Sequence, residues 1–132
     1  MISKIKNRMA SEQGFTLIEL LVVIVILGIL VAIAVPSYLS FRSKAETSAA
    51  KSNVRTAIPA AQSYYTIGNT YVGLNNAALV AQAKGVPATV LAAGTATDFC
   101  IQATIGADNE FYDSAGAATI TPGTCPAPYV VG

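Results

Sequence analysis

The sequence predicts an α+β fold in which one long N-terminal helix packs against a small antiparallel sheet. A nearly uninterrupted apolar run, from Phe15 to Val35, is followed by residues whose apolar side chains recur every three or four positions. The last third of the chain instead has short β-branched and aromatic segments separated by turn residues. With 132 residues, the chain has the length of one ordinary domain with a single core.

The composition excludes several functional classes. The chain has no His and two Cys, so it lacks a His-based catalytic triad and has too few Cys and His residues for a zinc site of the usual type. A net charge of +1 provides no electrostatic footprint for nucleic acid, and we expect no specific nucleic-acid partner. Gly-rich phosphate loops and catalytic Ser motifs are absent from the sequence. We therefore expect no cofactor, no metal site and no enzymatic activity.

The apolar run follows a short basic leader. Residues 1–14 have a net charge of +2, and a basic end before an apolar run stays on the cytoplasmic side of a membrane. The residues after the run are then carried outward. As a helix, Phe15–Val35 would span roughly 31 Å, which is about the thickness of a bilayer core. The pattern predicts a membrane helix.

Three interpretations compete for this segment. Cleavage after Ala32-Ile33-Ala34 would make it a secretory signal peptide, although the run exceeds the roughly 7–15 apolar residues usual there. A retained leader would make it a plain membrane anchor. The third interpretation starts from Glu19, because a carboxylate inside a membrane costs on the order of 2.5–3.5 kcal/mol and usually has a partner. A cut after Gly14 would supply one, the α-amine of Phe15. Otherwise Glu19 snorkels to the headgroups.

A motif at the start of the run favours the third interpretation. Gly14-Phe15-Thr16-Leu17-Ile18-Glu19, followed by the apolar run and Pro36, resembles the processing and assembly signature of type IV pilins and related pseudopilins. The resemblance implies that a prepilin peptidase cuts after Gly14 and that Phe15 becomes the N-methylated N-terminus. It also implies that Glu19 pairs with the N-terminal amine of an adjacent subunit in a filament.

The resemblance implies a pilin-like roll and a structural function. The chain would polymerise with copies of itself into a filament for adhesion, motility, DNA uptake or secretion. Its other partners would be the prepilin peptidase and N-methyltransferase, the pilus assembly platform and the inner membrane. That membrane would hold the precursor and monomer pool, and the assembled filament would lie at the cell surface. A major pilin, a minor pilin and a type II secretion pseudopilin share the signature, and these alternatives stay open.

Gly28 and Pro36 are assigned to assembly by the same resemblance. In members of the family, the segment between such residues can lose helicity when subunits pack into a filament. Alternatively, both are ordinary residues of a membrane helix. The expected segments are the leader, 1–14, the hydrophobic transmembrane and assembly helix, 15–36, and an amphipathic half-helix with a globular head, 37–132. The helix continues to about Tyr65. Pro59 leaves the Arg55 carbonyl unbonded and predicts a kink or restart.

Residues 66–132 must cover the apolar face of that helix. A short helix is predicted over Asn75–Lys84, with Gly85 as its stop. In the first predicted strand, Phe99 and Ile101 share the face that packs on the helix, with Cys100 on the other face. The predicted strands are Thr97–Ile105, Glu110–Tyr112 and Ala118–Thr121.

Cys100 and Cys125 predict a structural disulfide. Both lie in the exported part of the chain, where an oxidising compartment favours the bond. By the loop-entropy estimate, closing this 26-residue loop adds about 3.5 kcal/mol to the free energy of unfolding. A redox-active pair is the alternative, although no C-x-x-C spacing supports it. The expected bond resembles the C-terminal disulfide loop of many type IV pilins.

Two further clusters are expected to be structural. Asp108, Glu110 and Asp113 predict a solvated acidic turn; calcium binding is the alternative, although EF-hand spacing is absent. The tyrosines near the end of the helix are predicted to cover the core. Their alternative role is a stacking platform for single-stranded DNA. These residues are Tyr64, Tyr65 and Tyr71.

Overall fold

The structure is a computed structural model that describes residues 14–131. The predicted leader therefore lies outside the described residues up to position 13. The chain divides into two compact units, Met1–Leu39 and Ser40–Gly132. The helices are α1, Leu17–Gly68, and α2, Asn76–Gln82. The strands are β1, Val90–Gly94, β2, Phe99–Ile105, β3, Asp108–Asp113, and β4, Ile120–Pro122. The predicted α+β class is confirmed.

The first unit contains the apolar part of α1. Every residue from 14 to 39 is exposed, although nearly all of those from 15 to 35 are apolar. The helix is long and apolar enough to cross a membrane. It begins at Leu17, two residues after the predicted start at Phe15, and continues through Gly28 and Pro36. An apolar surface on all sides of a helix needs a surrounding apolar medium or other helices.

The core of the second unit lies between α1 and one face of the sheet. The outer half of α1 has an apolar face, as its three- and four-residue spacing predicts, and small side chains dominate the buried part of that face. Its fully buried members are Ala50, Val54, Ala57, Ala60 and Ala61. Opposite them, Phe99, Ile101 and Ala103 of β2 belong to the same apolar cluster. The predicted facing of β2 is therefore correct.

Of the two outcomes predicted at Pro59, a kink or a restart of the helix, the restart is wrong. The helix α1 continues through Pro59 to Gly68. Both Pro59 and Arg55 are exposed, so the carbonyl that loses its N–H partner lies where water can bind it. The neighbouring residues Ala57, Ala60 and Ala61 are buried in the core. Their packing holds the helix on both sides of the proline.

The sheet is an antiparallel meander in the order β1-β2-β3-β4. In its centre Ile101 pairs with Ala92 on one side and with Tyr112 on the other. The strand β1 was not predicted, because its Ala and Gly residues have low β-propensity. A side chain at Gly94 would collide with the backbone oxygen of Tyr71. Packing against the loop after α1 therefore selects the small residue there.

The short helix α2 is confirmed, with different ends. Asn75 is its N-cap, and its side-chain oxygen accepts a hydrogen bond of 2.9 Å from the Ala78 N–H. The helix ends at Gln82, and its C-cap is Ala83, so Gly85 is not the residue that stops it. Leu79 is the buried residue of this helix and joins the core.

Candidate functional site

The carboxylate of Glu19 caps the start of α1. Its Oε2 accepts hydrogen bonds from the Thr16 N–H at 3.2 Å and from the Thr16 hydroxyl at 3.0 Å. In return the Glu19 N–H donates to Thr16 Oγ1 at 3.3 Å. This reciprocal arrangement is a capping box. An acidic group in the first turn also stabilises the helix, because its negative charge interacts favourably with the helix dipole. Thr16 is thus a site residue that the sequence analysis missed, although its T-x-x-E spacing was the available signal.

Gly14 and Phe15 precede the helix in an exposed segment without regular structure. A Cβ placed on Gly14 would meet no atom within 4 Å, and the same is true of Gly28 inside the helix. Neither glycine is therefore required by packing within the described chain. Phe15 itself is 82% exposed.

The predicted solvated acidic turn is wrong. Asp108 accepts a hydrogen bond of 2.9 Å from the Thr47 hydroxyl, and Glu110 is only 1% exposed. Alternation along β3 turns Asp108 and Glu110 toward α1 and turns Asp113 toward the other face of the sheet. The three carboxylates therefore do not converge. Between residues 14 and 131 no group of three or more acidic, Cys or His side chains is placed to hold a metal ion.

Glu110 forms a buried ion pair with α1. Its Oε1 lies 3.7 Å from Lys51 Nζ, and Lys51 is partly exposed. The other oxygen, Oε2, is buried without a hydrogen-bond partner. A buried unpaired acceptor typically costs about 1–3 kcal/mol.

The face of the sheet opposite α1 is covered by the C-terminal tail. The structure joins Cys100 of β2 to Cys125 of the tail by the expected disulfide, with Cα atoms 5.9 Å apart. Next to this bond, the Cys125 N–H donates to Gln102 Oε1 at 3.1 Å. Further along, the Tyr129 hydroxyl donates to Asp113 Oδ1 at 3.2 Å. The tail is therefore held at several points besides the disulfide.

The tyrosines at the end of α1 cover the core, as predicted. Tyr71 is buried, and its ring centroid lies 4.7 Å from those of both Tyr65 and Phe99. Tyr64 packs at the edge of the same cluster, and its hydroxyl donates to the Val72 carbonyl at 3.0 Å. A ring enclosed by other rings has no free face on which a base can stack.

Tyr129 is expected to ionise at unusually high pH. Burial, and then the negative charge and hydrogen bond of Asp113, raise its pKa from 10.0 to about 12. Because the folded pKa lies above the unfolded value, this contribution to stability is complete below pH 10 and is lost as pH rises toward 12. Tyrosinate absorbance in an alkaline titration should show a step near pH 12 that Tyr129→Phe removes. A Tyr129 step at the ordinary pKa would contradict the expectation.

Comparison with known proteins identifies similar sequences. The family described as "Prokaryotic N-terminal methylation motif" matches residues 9–35. The type IV major pilin protein PilA of Myxococcus xanthus is 38% identical over 65 residues, which cover 49% of this chain and 30% of that protein. The type IV wide pilus major component PilA4 of Thermus thermophilus is 34% identical over 97 residues, covering 70% of this chain and 73% of PilA4.

A secretion protein is also similar. The type II secretion system core protein G of Pseudomonas aeruginosa is 43% identical over 81 residues, which cover 58% of this chain and 55% of that protein. The chain thus spans about a third of the Myxococcus protein and about half of the Pseudomonas protein.

Proposed function

The chain belongs to the family of type IV pilins and related pseudopilins, and from this membership we propose that it is a structural subunit of a filament. The observation that carries the proposal is the exposed apolar surface of α1. All large apolar side chains from Phe15 to Phe41 are exposed, by 47% to 82%. Full burial of one such side chain contributes about 1.5–3 kcal/mol. The segment therefore has two stable surroundings, a bilayer before assembly and the helices of other subunits after it.

Glu19 distinguishes these two surroundings. In a bilayer its carboxylate is costly, and the bonds from Thr16 replace only part of its hydration. In a filament the free amine of a neighbouring Phe15 supplies the missing positive charge. The proposed partners are therefore copies of this chain, the inner membrane, a prepilin peptidase with N-methyltransferase activity, and the pilus assembly platform. We propose no catalytic role for the chain itself.

Electron microscopy of the cell surface tests the proposal. Sheared surface fractions from cells with the gene should contain filaments in which mass spectrometry identifies this chain. A deletion strain should lack them, and expression from a plasmid should restore them. Recovery of the chain only as a soluble secreted protein, without filaments, would contradict the proposal and favour release after Ala34.

A type II secretion pseudopilin is the second candidate. The observation that favours it is the identity with core protein G over more than half of the chain. A pseudopilin should leave few surface filaments, and its deletion should block export of enzymes to the medium. A minor pilin differs from both, because filaments would then contain it at low abundance beside a more abundant subunit.

The mature chain is expected to begin at N-methylated Phe15. Gly14 has no packing role in the described chain, so its small size fits recognition by a peptidase. Intact-mass measurement of the surface protein checks this expectation. A first residue of Val35 would favour a signal peptide, and retention of Met1 would favour a plain membrane anchor.

A variant of Gly14 provides the genetic form of this test. Gly14→Arg should block cleavage and leave the full-length precursor in the membrane. Gly85→Arg is the matched control, because a Cβ at that glycine also meets no atom within 4 Å. The control should be processed normally. Normal processing of Gly14→Arg would be evidence against cleavage at this bond.

A further inference from the structure

A stripe of positive charge runs along α1 in the second unit. Lys44, Lys51 and Arg55 are spaced seven and four residues apart, so they lie on one side of the helix. We call these three residues the basic stripe. Two adjoining depressions, of about 410 and 450 Å³, share Lys51 and Arg55 in their walls. The larger one continues to Tyr112, Thr119 and Ile120 on the sheet.

Two of the three cations of the basic stripe are not neutralised by any residue of 14–131. Lys51 lies 3.7 Å from Glu110, whose second oxygen stays buried and unpartnered. Lys44 and Arg55 are exposed, and neither forms an ion pair with any residue of 14–131. The stripe therefore offers two unpaired cations beside an apolar groove, and an arginine in such a position binds carboxylates with two parallel hydrogen bonds.

Two carboxylates of the second unit lie on a face other than the one that carries the basic stripe. Asp113 faces the C-terminal tail, away from α1, where its partners are the neutral Tyr129 hydroxyl and the Ala115 N–H. Asp98 immediately precedes β2 and accepts from the Thr97 hydroxyl. The register pairs Cys100 of β2 with Asp113, so Asp98, two residues before Cys100, lies close to the end of β3 at which Asp113 lies. Among the described residues neither has a cation within ion-pair distance. We call Asp98 and Asp113 the acidic pair.

We propose that the basic stripe of one copy of this chain binds the acidic pair of a second copy. The two charged surfaces lie on different faces of one unit, so they satisfy each other only between molecules. A contact between unlike surfaces is heterologous, and repeating it generates an open helical filament when the rotation does not close into a ring. The inference rests on the proposed function and deepens it, because it assigns a contact between heads in addition to the packing of apolar helices.

The contact would fix the register of neighbouring subunits, and it would contribute less to the stability of the filament. Exposed ion pairs contribute little affinity, whereas the arrangement of charge selects orientation and excludes misaligned neighbours. Apolar helices alone have few features that prevent sliding. Ile58 and Ile120 beside the stripe would exclude water from part of the contact.

Zero-length cross-linking of intact filaments tests the contact. A carbodiimide joins a lysine amine to a carboxylate only where the two touch. Filaments of the unaltered chain and of Arg55→Lys are treated, and dimers are excised from a denaturing gel for peptide mass spectrometry. We expect links from the stripe to Asp98 or Asp113. Dimers linked only elsewhere, for example through Lys84, or an absence of dimers, would overturn the proposal.

Charge reversal gives an independent measurement. Arg55→Glu should reduce the assembled fraction several-fold at an unchanged membrane pool, and Asp98→Lys in the same chain should recover part of that loss. Lys84→Glu is the matched control, because Lys84 is exposed and lies outside the stripe. Normal assembly of Arg55→Glu would overturn the contact. If the unaltered chain formed no filament at all, the proposed function itself would fail, which is a distinguishable result.

Discussion

Glu19→Gln is expected to reduce filament yield by on the order of tenfold or more, while leaving cleavage and membrane insertion largely intact. The glutamine oxygen can still accept hydrogen bonds from Thr16, so the cap of α1 is retained. The negative charge is lost, and the amine of the neighbouring Phe15 is left without its counter-ion among apolar helices. Breaking a buried ion pair by removing one partner costs about 3–5 kcal/mol.

The yield is measured as the ratio of this chain in sheared surface fractions to the chain in the membrane. Glu19→Leu extends the test, because leucine is more stable in lipid and yet should also impair assembly. Glu46→Gln serves as the matched control: it removes a carboxylate from the same helix, where the partner is Arg42 at 2.8 Å. Normal yield from both Glu19 variants would show that the charge has no role in assembly.

Loss of the disulfide is expected to lower the free energy of unfolding of the head by about 3.5 kcal/mol. The bond closes the chain from Cys100 to Cys125, and the loop contains β3 and β4. In a unit of this size each kcal/mol corresponds to about 4–8 °C in the midpoint of thermal unfolding. Membrane insertion should be unaffected, because the apolar part of α1 provides it.

A soluble fragment from Lys44 to the C-terminus is suited to this measurement. Thermal unfolding is followed with and without reductant. The double variant Cys100→Ala, Cys125→Ala should have the same midpoint under both conditions. The hydrogen bonds from the tail to Gln102 and Asp113 should keep the reduced tail partly in place at low temperature. An unchanged midpoint on reduction would mean that the bond does not stabilise the head.

Some features of the candidate site could be proposed from the sequence, and others became visible only in the structure. Gly14, Phe15 and Glu19 were proposed from the sequence, because a charged residue at a fixed distance inside an apolar run is rare. The contact of Thr16 was not predicted, since it depends on a short-range helix cap and not on the position of Glu19 in a membrane. The prediction of a solvated acidic turn was wrong, because residues that are close in the sequence point to opposite faces of the sheet when the segment is a strand.

The sequence by itself determined the elements whose signals are local. The apolar run, the amphipathic spacing after it and the pairing of the two cysteines each follow from a few neighbouring residues or from composition. Only the tertiary structure decided that Ala92 and Gly94 belong to a strand, that α1 continues past Pro59 and that Glu110 is buried beside Lys51. Those outcomes depend on which distant segments meet. Packing between such segments outweighs the weak intrinsic preferences of alanine and glutamate, and at Pro59 it outweighs a helix penalty of about 3 kcal/mol.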